Sequence, residues 1–229
     1  MNFFNYLFAA VIFTFIVVIF FLFIKSNYRK DEKFPLPAPS FDGKISVEKA
    51  IKSRRSIRSY KQDSLTLAQI SQLLWAAQGI TSNDGFRTAP SAGATYPLEI
   101  YLVVGKVTDL TSGIYKYLNK DHVIIKIGDG DKRAELSDAA LSQEWIKEAP
   151  IAIVVCGIYE RTSKKYGDNA SKFVHMEVGC VAQNLYLQAT ALGLGTTFVG
   201  TIDAEKIASV LHLDKNEHAL CILPVGVIN

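Results

Sequence analysis

Apolar and polar positions follow three regimes along this chain. The first is an unbroken apolar run. Residues Phe3 to Ile24 carry no charge and are almost wholly apolar; at about 1.5 Å per residue such a helix reaches about 33 Å, enough for a bilayer core of about 30 Å. The run predicts one transmembrane helix over 3–24. A cleaved signal peptide needs a basic residue before the run and a small-residue site after it, and neither is present. Lys25, Arg29, Lys30 and Lys33 follow the run while no Lys or Arg precedes it, which places the C-terminal side in the cytoplasm as a single-pass protein. Residues 25–43 contain Pro35, Pro37 and Pro39 without periodicity and read as an extended linker, so the folded domain is expected over 44–229.

The second and third regimes are helical and strand periods in alternation. Ser46 caps a short helix carrying Val47, Ala50 and Ile51, and Thr66 with Gln69 forms a capping box ahead of Leu67, Ile70, Leu73 and Leu74, with a stop at Gly79. Strands are predicted at 98–104, 114–118, 123–127, 151–158 and 219–225, the second and third turning into each other at Asn119, Lys120 and Asp121. The longest helical pattern runs from Ser171 to Leu192, stops at Gly193, and is expected to be central. A short strand follows Gly193, and a last pattern spans Asp203 to Leu213. The fold class is therefore α+β in one domain.

Composition narrows the chemistry. A net charge of +3 is too mild for a protein devoted to nucleic acid, so no nucleic-acid partner is expected. Cys156, Cys180 and Cys221 are widely spaced among apolar neighbours and offer neither a disulfide framework nor a metal knuckle; no metal site is expected. His175 and Glu177 form an H-x-E without the P-C-x-x-C that a zinc deaminase needs. Phosphate-loop, dinucleotide-loop, zincin and hydrolase-elbow motifs are all absent.

Three segments carry positive signals. Residues 44–61 hold seven Lys and Arg against Glu48 alone. This is either a solvated face, a contact for anionic lipid, or, from the texture Arg54-Arg55-Ser56-Ile57-Arg58, a place where guanidinium forks and a hydroxyl converge on a phosphate ester. Ala89 to Pro97 is a small-residue loop before an apolar strand, suited either to an ordinary turn or to close backbone approach of a flat ligand. Gly193 to Gly200 leaves the long helix through a short strand, where backbone N–H groups can point at a ring heteroatom.

Taken in order, RRSIRSY at 54–60, APSAGATYPLEIYLV at 89–103, Lys165-Tyr166-Gly167, EVGCVAQNLYLQATALGLGTTFVG at 177–200 and LPVG at 223–226 resemble the nitroreductase-like FMN flavoproteins, in particular the SagB or ThcOx type of dehydrogenase. The resemblance implies a mixed central sheet flanked by helices and an intertwined homodimer with FMN at the subunit interface. It assigns Arg54, Arg55, Ser56 and Arg58 to the FMN phosphate, ribityl chain and pyrimidine edge. It assigns Pro90, Ser91, Ala92 and Gly93 to a loop reaching the flavin from the partner subunit, and Val199 and Gly200 to the stretch whose N–H approaches flavin N5. Lys165 and Tyr166 match a catalytic pair credited with proton abstraction, where a buried lysine serves as base; a solvated basic stretch with Arg161, Lys164 and Lys172 is the competing reading. Asn169 stands where relatives usually carry arginine, and Thr201-Ile202-Asp203 replaces a more common aromatic-and-acidic run.

The function so implied is a membrane-anchored FMN oxidoreductase acting on a small molecule or peptide. Either NAD(P)H reduces nitro, quinone or enone compounds, or a peptide azoline is dehydrogenated. The alternative is a degenerate, non-catalytic member serving as a membrane-tethered binding or partner protein.

Overall fold

Strands that are apolar at consecutive positions need cover on both faces. In the computed structural model, which describes residues 32–229, they have it. In chain order the elements are β1 Lys33–Pro35, α1 Val47–Ser53, α2 Leu67–Gln78, β2 Leu98–Val104, β3 Gly113–Leu118, β4 Val123–Asp129, α3 Arg133–Ala139, α4 Trp145–Glu148, β5 Ile151–Gly157, α5 Tyr159–Tyr166, α6 Ala170–Ala191, β6 Leu194–Thr196, α7 Ala204–Leu211 and β7 His218–Val227. Along β2, Ile100, Leu102 and Val104 face the layer of α2 and α6, whereas Tyr101 and Val103 face Leu136, Ile146, Ile207 and Leu211 of α3, α4 and α7. Three layers result, with two apolar cores separated by the sheet.

The seven strands lie in the order β1-β4-β3-β2-β5-β7-β6, and every strand pair is antiparallel. The expected mixed sheet is thereby corrected. Parallel pairing is limited to single bridges such as Ser56 with Thr196. The reason is connectivity: β2, β3 and β4 follow one another as hairpins, and the excursion from β5 through α5, α6, β6 and α7 returns β7 in the opposite direction to β5.

The linker expectation also shifts. Phe34 pairs with Ile124 at the sheet edge, Leu36 is buried and donates its N–H to the His122 carbonyl at 3.2 Å, and the Ser40 N–H reaches Gln72 Oε1 at 2.8 Å. The prolines alternate with Phe34, partly buried against the core, and the buried Leu36, and their packing builds this stretch into the domain from Lys33 onward. The predicted span 3–24 and the start of the linker lie outside the described residues. Among the described residues no helix is long and apolar enough to cross a membrane.

Local signals held where chemistry fixed them. The Thr66–Gln69 capping box forms, with Gln69 N–H on Thr66 Oγ1 at 3.2 Å and Thr66 N–H on Gln69 Oε1 at 2.9 Å. The long helix α6 covers one face of the sheet, as its length predicted.

Candidate functional site

The guanidinium segment is shaped by a helix end. Ser46 caps α1 by accepting the Lys49 N–H, and the chain leaves the helix at Arg54 with φ −53° and ψ 128°. Residues 55–58 then run extended beside β6: Ile57 N–H donates to the Thr196 carbonyl at 2.9 Å, and the buried Tyr60 hydroxyl donates to the Ile57 carbonyl at 2.7 Å. Such close approach needs Gly195, because a Cβ there would stand 2.7 Å from Ile57. The Arg54 guanidinium lies 4.9 Å over the Tyr186 ring, Arg55 caps the Lys52 and Arg54 carbonyls at 3.1 and 2.7 Å, and Arg58 lies 5.7 Å over the Trp145 ring. Among the described residues none of the three forms an ion pair with a carboxylate.

The same place receives the end of β6. Tyr186 Oη accepts the Phe198 N–H at 2.8 Å and lies 3.0 Å from Ser56 Oγ. The Thr196 and Thr197 hydroxyls are buried without a hydrogen-bond partner. Of the expected donor pair, Val199 is committed elsewhere: its N–H donates to the Ile222 carbonyl at 2.9 Å, and only Gly200 is exposed. Cations without carboxylates near unpartnered buried hydroxyls suit an anionic ligand such as a phosphate ester.

A second group gathers around residues 90–96, where Gly93, Ala94 and Tyr96 have φ of +59°, +55° and +45°. A backbone this unusual for Ala and Tyr persists only where its surroundings over-determine it. Ser91 Oγ accepts the Tyr96 N–H at 2.9 Å, and Arg161 donates to the Tyr96 carbonyl at 2.9 Å while pairing with Glu99 at 2.6 Å. The Thr95 and Thr162 hydroxyls meet at 2.9 Å, and Arg87 stacks on the Tyr96 ring at 4.3 Å. Lys165 Nζ donates to the Gly93 carbonyl at 3.4 Å, and Tyr166 packs on Phe173 with ring centroids 4.8 Å apart. The expected pair and loop are therefore in contact. Lys165 is nevertheless exposed, so its own chain does not supply the burial expected of a lysine base.

Beneath this loop Glu177 is only 3% exposed. Burial raises its carboxyl pKa above the ordinary value, opposed by hydrogen bonds from Ser91 and from Gln78 Nε2, the latter at 3.3 Å. Gln78 in turn accepts from Arg87 at 2.9 Å.

The two groups do not meet within one chain. Glu177 and Tyr186 are nine residues apart on α6, which at about 100° per residue leaves them half a turn out of phase and about 13 Å apart along the axis. Arg54 to Arg58 with Gly200 therefore sit on one side of the helix, and Pro90 to Gly93 with Lys165 and Tyr166 on the other.

The sequence did not mark Tyr186 or Phe198 as site residues, and it offered Glu177 only as half of an H-x-E and Arg161 only as part of a solvated basic stretch. Glu177 and Tyr186 leave a signal there, as polar groups in a helix otherwise apolar at its buried positions; Phe198 acts through its own backbone N–H and Arg161 through partners distant in sequence, Tyr96 and Glu99, and neither leaves one.

The chain matches the Nitroreductase family model over residues 51–227. It is 47% identical over 182 residues to a nitroreductase-family protein of Methanocaldococcus jannaschii, covering 80% of this chain and 91% of that one. It is 24% identical to the FMN reductase [NAD(P)H] of Bacillus subtilis, over 79% of this chain and 65% of the relative. It is also 25% identical to the microcin B17-processing protein McbC of Escherichia coli, over 60% and 52% respectively. With the site segments and the α+β architecture inside the matched region, the chain belongs to the Nitroreductase family.

Proposed function

We propose that this chain is an FMN-dependent oxidoreductase whose site is completed by a second copy, and that it reduces a nitro, quinone or enone compound with NAD(P)H. The observation that carries the proposal is the set of guanidiniums at Arg54, Arg55 and Arg58, without carboxylate partners among the described residues, of which Arg54 stacks on Tyr186 and so adjoins the stretch ending at Gly200. When bound, FMN supplies hydride transfer through flavin N5. Arg54, Arg55 and Ser56 hold its phosphate as charge-assisted donors, and Arg58 serves the more distal polar edge. The Gly200 N–H donates toward the ring in place of the committed Val199. Pro90 to Gly93 come from the partner subunit and close the site against water. The half-turn offset of Glu177 and Tyr186 supports a two-chain site, and so does the exposed α6 surface at Met176 and Gly179, where a Cβ would meet nothing.

A second reading, dehydrogenation of a peptide azoline, is favoured by the contact of Lys165 and Tyr166 with Gly93. There Lys165 would take a proton, its burial being supplied by the partner and the substrate. In both readings residues 3–24 anchor the protein to the membrane, on the strength of their uncharged apolar run.

The test is the visible spectrum of the purified full-length protein. Flavin absorption that bleaches with NADPH and returns on adding menadione supports reduction. Flavin indifferent to NAD(P)H turns the assignment to the azoline reading. Protein that stays colourless after FMN addition overturns both and leaves the non-catalytic partner.

A further inference from the structure

Tyr186 joins three groups that the site needs in register. Its ring carries the Arg54 guanidinium at 4.9 Å, its oxygen accepts the Phe198 N–H at 2.8 Å, and Ser56 Oγ lies 3.0 Å away. Which hydroxyl donates in the last contact follows from what each direction leaves unpaired. If Ser56 donated, the phenolic proton would need another acceptor, and Tyr186 is only 9% exposed with no other hydroxyl contact among the described residues. A buried hydroxyl left without an acceptor costs about 1–3 kcal/mol. If Tyr186 donates, every polar atom of the phenol is used. The Ser56 proton is then free on an exposed residue, beside Arg54 and Arg55.

On the reading of the FMN site above, we infer that Tyr186 is a positioning residue that orients the Ser56 hydroxyl as an outward donor to a phosphate ester. The donor chain runs from the Phe198 amide through Tyr186 to Ser56, each bond polarising the next. Tyr186 itself does not touch the ligand.

The experiment titrates FMN and riboflavin, which lacks the phosphate, into the flavin-stripped full-length chain and into Tyr186→Phe, Ser56→Ala and the double variant, following flavin fluorescence. Phe keeps the ring beneath Arg54 and removes only the hydroxyl. Tyr186→Phe and Ser56→Ala are each expected to weaken FMN binding about 10-fold, and the double variant no more than either alone, because both interrupt one chain. Riboflavin affinity should stay within about 2-fold, which a general loosening of the fold would not produce. Independent losses multiplying to about 100-fold, or an equal loss for riboflavin, would overturn the inference while leaving the FMN site intact. Failure of the wild-type chain to bind FMN would instead remove the site, and the inference with it.

Discussion

Gly93 lies directly under the Lys165 side chain: a Cβ on Gly93 would stand 2.6 Å from Lys165 Nζ and 2.7 Å from the Tyr166 hydroxyl. No side chain is tolerated there without moving both members of the pair, and the left-handed φ of +59° adds backbone strain.

Gly93→Ala is therefore expected to destabilise the domain by about 1–2 kcal/mol and, on the azoline reading in which Lys165 is the base, to lower turnover at least about 10-fold by displacing Lys165 and Tyr166. Thermal melts and steady-state rates on the same preparations check it, and unchanged turnover would separate the pair from the chemistry.

Arg54→Ala should weaken FMN binding by roughly 10- to 100-fold, the range of a lost hydrogen bond to a charged group, with little change in melting temperature because Arg54 holds no ion pair in the described structure. The ratio of flavin to protein absorbance after gel filtration reads it, and full retention of flavin would remove the phosphate from this segment.

His122 should make the attachment of the N-terminal strand sensitive to acid. Ser71 Oγ donates to the Pro37 carbonyl at 2.5 Å, so it accepts from His122 Nε2 at 2.7 Å, leaving Nδ1 to accept the Tyr117 hydroxyl at 2.8 Å. This arrangement needs a neutral ring, and burial holds the His122 pKa below its usual value. The folded chain then binds fewer protons than the unfolded chain as pH falls toward about 6.5, so this contribution is present above that pH and lost below it. Any fall in Tm from about pH 7.5 to about 5.5 is expected to be larger in the wild-type chain than in His122→Asn, and equal pH dependence of the two would remove His122 as the cause.

Glu177 predicts the opposite slope. Its raised pKa means the folded state holds the proton more tightly than the unfolded state, so stability declines as pH rises from about 4.5 through the raised value. Glu177→Gln should flatten that decline. A Tm series from pH 4.5 to 8 on both proteins shows whether it does.

Much of the fold was legible because its signals are local. The Thr66–Gln69 box closes as its spacing requires, and β2 spans the same residues, 98–104, that its apolar run marked. The short helices α1 and α7 showed through their caps, Ser46 and Asp203, whereas α3, α4 and α5 were not legible. In α5 only Thr162 is buried, so it shows no apolar period, and its helical form comes from packing beside residues 90–96. Sheet direction escaped for a similar reason, since strand periods are the same in parallel and antiparallel pairs. The site residues at 54–58 and 90–93 stood out by composition. Their division between opposite sides of α6 did not, because it depends on the angular phase of Glu177 and Tyr186 relative to distant loops.

That phase relationship reaches into how the protein behaves on dilution. A cofactor gripped by one molecule's arginines and another's glycine loop links its own affinity to self-association by mass action. Such a protein would shed its colour as it becomes dilute and recover it on concentration. Confinement to a membrane surface, where copies stay close, would keep it loaded even at low abundance.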